Sequence, residues 1–205
     1  MTRVAAFVLI GGKSSRMGQE KSALLLHGRT LLDRAIEIAR AASEDIHLLG
    51  APPIGAPHLP VSGRSGITAI PDRFPGCGPL SGIDAALAAT NANLNFILSV
   101  DTPFIPQDFV RYLVKRAESS KATVTYPRLT SGFQPLCAVY RKDFGQFAEA
   151  ALKAGNYRID PLFARVSTSV VDEADLRKLG FGHEIFDNLN TPEDWERAQQ
   201  RLHTP

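Results

Sequence analysis

Residues Val4 to Ile10, VAAFVLI, form an unbroken apolar run that stops at two adjacent glycines, Gly11 and Gly12. A strand with one face in water alternates apolar and polar side chains. A run that is apolar at every position has both faces covered, as the central strands of a parallel sheet do. Such a strand requires helices on both sides of it, and the rest of the chain supplies them. TLLDRAIEIARAA (30 to 42) carries apolar residues at 31, 32, 35, 36 and 39, which is helical spacing, with Thr30 as N-cap.

The alternation continues. DIHLLG (45–50) reads as a second strand, and APPIGAPHLPVSGRS as a long loop too rich in proline and glycine for regular structure. ITAI (67–70) is a short strand leading through PDRFPGCGPLSG into the helical LSGIDAALAAT. FILSV (96–100) ends at Asp101 and is followed by the helical QDFVRYLVKRAES. Beyond Ala122, ATVTY, FQPLCAVY, STSVVD and HEIFD read as strands, while DFGQFAEAALKA and TPEDWERAQQRLH read as helices. Thr191–Pro192 starts the last of these, with Asp194 at its third helical position. Strands each followed by a helix predict an α/β chain with a mostly parallel sheet covered on both faces, a three-layer sandwich in one domain over residues 1–205. Ligands of such sheets bind beyond the carboxyl ends of the strands.

Composition narrows the function. The formal charge of the 205 residues is only +2, and the lysines and arginines are interspersed with acids, so the basic stripe that duplex nucleic acid demands is absent. Cys77 and Cys137 lie sixty residues apart without CxxC company, which suggests neither a disulfide framework nor a zinc site and fits a reducing compartment. The Val4–Ile10 run is too short for a membrane span or a signal segment, so a cytoplasmic chain without membrane attachment is expected.

Three strand ends carry chemistry. In GGKSSRMGQEK the spacing fits neither a Walker A loop nor a dinucleotide fingerprint. What remains is a glycine pair that lets backbone N–H groups approach an anion, with Arg16 as a forked donor and Lys13 and Lys21 as point charges. The other reading is a turn with solvated cations. Asp101 ends a buried strand, where a carboxylate needs a cation or donors. Magnesium, which takes one or two protein carboxylates with substrate phosphates and water, suits it, and a capping or turn aspartate is the alternative. Asp72 has the same two readings. FDNLNTPEDW brings Asp187, Asn188 and Asn190 to a helix start, where they either cap or orient a ligand. The five histidines show no ligand spacing, and no Gly-x-Ser-x-Gly elbow occurs.

Taken in order, GGKSSRMGQEKSALLLHGRTLL, IPDRFPGCGPLSGIDAAL, FILSVDTPFIP, QPLCAVYR and NLNTPEDW resemble the molybdenum cofactor guanylyltransferases, the MobA-like nucleotidyltransferases, over nearly the full length. The resemblance implies a Rossmann-like, glycosyltransferase-A-type fold. It also implies transfer of GMP from GTP to the terminal phosphate of molybdopterin, with magnesium as cofactor and pyrophosphate as the other product. It places Leu9, Ile10, Gly11 and Gly12 at the guanine and ribose, and Arg16, Gly18 and Lys21 at the triphosphate. Asp72 falls at the nucleoside, Asp101 on magnesium, and Gly82, Asn188 and Asn190 on the acceptor side. LIGG matches the guanylyl pattern LAGG in its second glycine, where cytidylyl members resemble LAAG; Ile10 stands in place of the alanine.

The resemblance further allows a molybdoenzyme or a cofactor-delivering protein as partner. Two rivals are a related transferase using CTP or another phosphorylated acceptor, and a nucleotide-binding regulatory protein without turnover.

Overall fold

The computed structural model describes residues 2–10, 21–50 and 67–201. Gly11, Gly12, Lys13, Arg16 and Gly18, and the loop expected over 51–65, lie outside the described residues.

The first strand, β1 (Val4–Leu9), is followed by a 3₁₀ turn at Lys21–Ala23 and a hairpin of β2 (Leu25–Leu26) and β3 (Arg29–Thr30). Helix α1 (Leu31–Arg40) and strands β4 (Ile46–Leu49) and β5 (Thr68–Ile70) come next, then α2 (Pro79–Ala89), β6 (Leu94–Ser99) and α3 (Gln107–Ser120). Strands β7 (Val124–Leu129), β8 (Gly132–Phe133) and β9 (Cys137–Arg141) lead to α4 (Phe144–Lys153) and α5 (Asp160–Phe163). The described chain closes with β10 (Thr168–Asp172), α6 (Glu173–Lys178), a 3₁₀ turn at His183–Phe186 and α7 (Pro192–Arg201).

Among the described residues the main sheet runs β10-β7-β9-β6-β1-β4-β5, with β8 on β7. β1 pairs in parallel with β6 and β4, and β4 with β5, whereas β9 is antiparallel to both β6 and β7. The sheet is therefore mostly parallel, and the ends of β1, β4, β5 and β6 open on one rim.

β1 shows why its run had to be apolar throughout. Ala6 and Val8 enter one core with α1 and α3, while Ala5, Phe7 and Leu9 enter another with α2 and α4. In α1 the periodic residues Leu31, Leu32, Ala35, Ile36 and Ala39 are buried, and the Thr30 side chain accepts from Asp33 N at 3.0 Å. Each buried leucine or isoleucine contributes roughly 2 kcal/mol.

Two runs expected as strands differ. FQPLCAVY is interrupted at Gln134–Leu136. The return strand advances from Phe133 to Val139 while β7 spans only Arg128 to Thr125, so the surplus residues bulge out. Pro135 has no N–H for a ladder, which makes it suited to the bulge. HEIFD is a 3₁₀ turn: Ile185 and Phe186 are consecutive, yet both enter the same core, which a strand's alternation forbids.

Candidate active site

The open rim gathers three of the expected side chains. Lys21 begins the 3₁₀ turn at Lys21–Ala23, and its ammonium donates to Asn190 Oδ1 at 2.6 Å and reaches Asp101 Oδ2 at 3.5 Å. Asp101 stands just past β6. Its Oδ1 accepts from Ser99 Oγ at 2.6 Å, and its main-chain oxygen accepts from Leu189 N at 2.9 Å. Lys21 and Asp101 side chains each retain 20% exposure, so both remain accessible to a ligand. Asp101 caps no helix; α3 starts at Gln107, after Pro106. It sits in the turn that follows β6, and its carboxylate is held there by a hydroxyl and an ammonium.

The Asn190 end is fixed by its own sequence. Asp194 Oδ2 accepts from Asn190 N (3.0 Å) and Thr191 N (2.9 Å), while Asp194 N donates to Thr191 Oγ1 at 3.1 Å. This reciprocal cap anchors the start of α7. Leu189 is buried between the two asparagines, which turns Asn188 and Asn190 outward. Asp187 accepts from Arg201 Nη1 at 3.1 Å and so has a structural partner of its own. Asn188, Asn190, Asp101 and Ser99 line a cleft of about 260 Å³, whose opposite wall is the Phe133–Cys137 bulge.

Leu9 and Ile10, expected at the nucleoside, lie one strand over. Leu9 O accepts from Val100 N and Ile10 N donates to Leu49 O, both at 3.0 Å. Leu9 and Ile10 are each 7% exposed, with their side chains in opposite cores. The extra bulk of Ile10 is thus housed beneath the sheet. Gly82 lies buried in α2 and does not line the cleft. A Cβ there would stand 2.5 Å from Leu9 Cδ1. Helix α2 therefore passes close to β1 at Gly82, and a larger residue there would have to displace the end of the Leu9 side chain.

Asp72 follows β5. Its Oδ1 is buried and has no hydrogen-bond partner among the described residues, and desolvation holds its carboxyl above the usual range. The neighbouring Arg73 fastens this loop, its Nη1 reaching both Asp84 oxygens (3.3 and 3.2 Å) and its Nη2 Glu149 at 3.1 Å. Burial raises the Asp84 carboxyl, and Arg73 partly offsets it.

Sequence reading missed Ser99, Gln134 and the Arg73–Asp84 pair. Ser99 was visible as the residue two before Asp101, and Gln134 as a polar residue beside a proline inside an apolar run. Nothing in the sequence brings Arg73 to Asp84, because that contact depends on how α2 docks.

A family model described as MobA-like NTP transferase domain matches residues 6–168. The probable molybdenum cofactor guanylyltransferase of Pelotomaculum thermopropionicum is 31% identical over 97% of this chain and 93% of its own length. The molybdenum cofactor guanylyltransferase of Desulfosudis oleivorans is 30% identical over 98% and 97%. Among solved structures, molybdopterin-guanine dinucleotide biosynthesis protein A from Archaeoglobus fulgidus superposes with a TM-score of 0.84 at 25% identity, covering 98% of this chain and all of that one.

Proposed function

The chain belongs to the MobA-like NTP transferase family, and from that premise we propose that it transfers GMP from GTP to the terminal phosphate of molybdopterin. The names of its relatives support this reaction. The observation in the molecule that carries it is the convergence of Lys21, Asp101 and Asn190 from three distant segments on the rim where parallel sheets bind ligands.

An acceptor phosphate oxygen attacks the α-phosphorus of GTP. A P–O bond forms as the bond from the α-phosphorus to the bridging oxygen breaks, and pyrophosphate leaves with the electron pair. The attacking phosphate is already anionic near neutral pH, so no general base is required, and catalysis rests on positioning and charge. Lys21, tethered by Asn190, supplies positive charge to the leaving pyrophosphate, and Arg16 would add a forked contact to the triphosphate. Leu9 to Gly12 and Asp72 would hold the nucleoside, Gly18 would let the backbone approach the phosphates, and Asn188 with Asn190 would face the acceptor.

Asp101 fits magnesium. Among the described residues no group of three or more His, Cys, Asp or Glu gathers. Asp101, with Ser99 orienting one oxygen, would therefore hold the ion as a lone carboxylate beside substrate phosphates and water, the mode magnesium favours. Bound there, the ion would neutralise phosphate charge and act as a Lewis acid. The second glycine of LIGG supports GTP over CTP. Pyrophosphate release, measured with molybdopterin and each nucleotide in turn, tests the assignment: release with GTP supports it, and a preference for CTP overturns it. No helix among the described residues is long and apolar enough to cross a membrane.

A further inference from the structure

We propose that the Gln134 carboxamide binds the aminopyrimidinone edge of the acceptor's pterin ring; this rests on the reading of molybdopterin as acceptor. Gln134 sits in the bulge between β8 and β9 and lines the same cleft as Asp101, Asn188 and Asn190. The bulge is held rigidly. Gln134 N donates to Pro127 O (2.9 Å), Cys137 N to Gln134 O (3.2 Å) and Tyr140 Oη to Pro135 O (2.7 Å). Ser99 N donates to Leu136 O at 2.9 Å, and Ser99 Oγ holds Asp101, so the bulge is tied to the carboxylate of the reaction site. The Gln134 carboxamide itself carries no hydrogen bond to the described residues. Bulges beside active sites commonly re-aim a side chain.

The lining selects the ligand class. No lysine or arginine lines this cleft among the described residues, which disfavours a free anion as its occupant. Phe133, Pro135 and Leu136 offer apolar surface, and the carboxamides of Gln134 and Asn188 each present a donor beside an acceptor. A flat heteroaromatic ring with an N–H next to a C=O is complementary to that pairing. Both guanine and pterin have this edge. The geometry favours the pterin: Leu9, Ile10 and Asp72 lie toward β1 and β5 on one side of β6, whereas Gln134 lies on the β9 side. The acceptor would then span from its ring at Gln134 to its terminal phosphate at Lys21 and Asn190.

The test compares wild type with Gln134→Met, which keeps length and loses both hydrogen bonds, and with Gln134→Glu, which loses the donor. Steady-state pyrophosphate release gives KM for each substrate, and fluorescence titration with molybdopterin alone gives its Kd. The expected result is a rise of about tenfold in KM and Kd for molybdopterin, the loss of a neutral paired contact, with KM for GTP unchanged. A rise in KM for GTP in its place would assign Gln134 to guanine and overturn the proposal. So would unchanged constants in both variants, or a wild type that does not bind molybdopterin. Binding that depends on Gln134, together with no pyrophosphate release by wild type, would sustain this contact and remove the transferase reading.

Discussion

Lys21 Nζ lies 2.6 Å from Asn190 Oδ1, so a residue of the first 3₁₀ turn and one just before α7 share a hydrogen bond across 169 positions. The same ammonium reaches Asp101 at 3.5 Å, and a solvated cation would need neither contact. Asn190→Ala leaves Lys21 without its shortest tether. The expected outcome is a fall of about tenfold in kcat/KM for pyrophosphate release with little change in Tm, because the hydrogen bond is exposed. An unchanged kcat/KM would mean that the tether has no role in positioning.

Ser99→Ala removes the 2.6 Å hydrogen bond that orients Asp101 Oδ1. Loss of this orientation is expected to raise the magnesium concentration needed for half-maximal rate by about tenfold, as removal of a partner behind a metal ligand does. A magnesium titration of activity checks it.

Asp72 carries a buried oxygen without a hydrogen-bond partner among the described residues, and burial raises its carboxyl. A carboxyl raised on folding favours the protonated form, so its stabilising contribution is present at low pH and is lost as pH rises through the raised value. At neutral pH its ionised form is therefore a strain. Asp72→Asn is expected to leave Tm at pH 7 equal or higher and to flatten the pH dependence of Tm above pH 4. At the same time KM for GTP should rise, the pattern of a site residue that sacrifices stability. Thermal unfolding across pH, alongside GTP kinetics, measures both.

Arg73 and Asp84 form an unequal pair: Arg73 is 42% exposed and Asp84 only 1%. Removing the arginine strands a buried carboxylate, while removing the carboxylate leaves a guanidinium that water can reach. Arg73→Ala is expected to cost about 2 kcal/mol at pH 7, less than a fully enclosed pair, and Asp84→Asn less than that. The Arg73→Ala penalty should shrink as the pH falls and Asp84 takes up its proton, since its carboxyl is raised by burial. Urea melts at two pH values test the order and its sign.

The fold was legible where side-chain periodicity decided it. β1, α1, α3 and β6 follow from which faces must be covered. The short pieces were not legible: β2 and β3 form a two-residue-a-side hairpin, and α5 is a single helical turn. Periodicity has nothing to act on there. HEIFD misled because two adjacent buried residues look alike in a strand and in a turn. Of the site, Lys21, Asp101 and Asn190 could be singled out by type and by their place at element ends. Their meeting is a matter of sheet order, as is the bulge that brings Gln134 to the same cleft.

The most direct measurement is pyrophosphate released when the purified chain is mixed with GTP, magnesium and molybdopterin, run for wild type beside Lys21→Ala and Asp101→Ala. Leu189 is bound by the main-chain oxygen of Asp101, so neither substitution removes a fold contact of that kind. Release by wild type is expected, with a loss of at least about 100-fold in each variant, the scale of removing a transition-state charge partner, and with Tm preserved. Undiminished release by either variant, or release with CTP in preference to GTP, would contradict it.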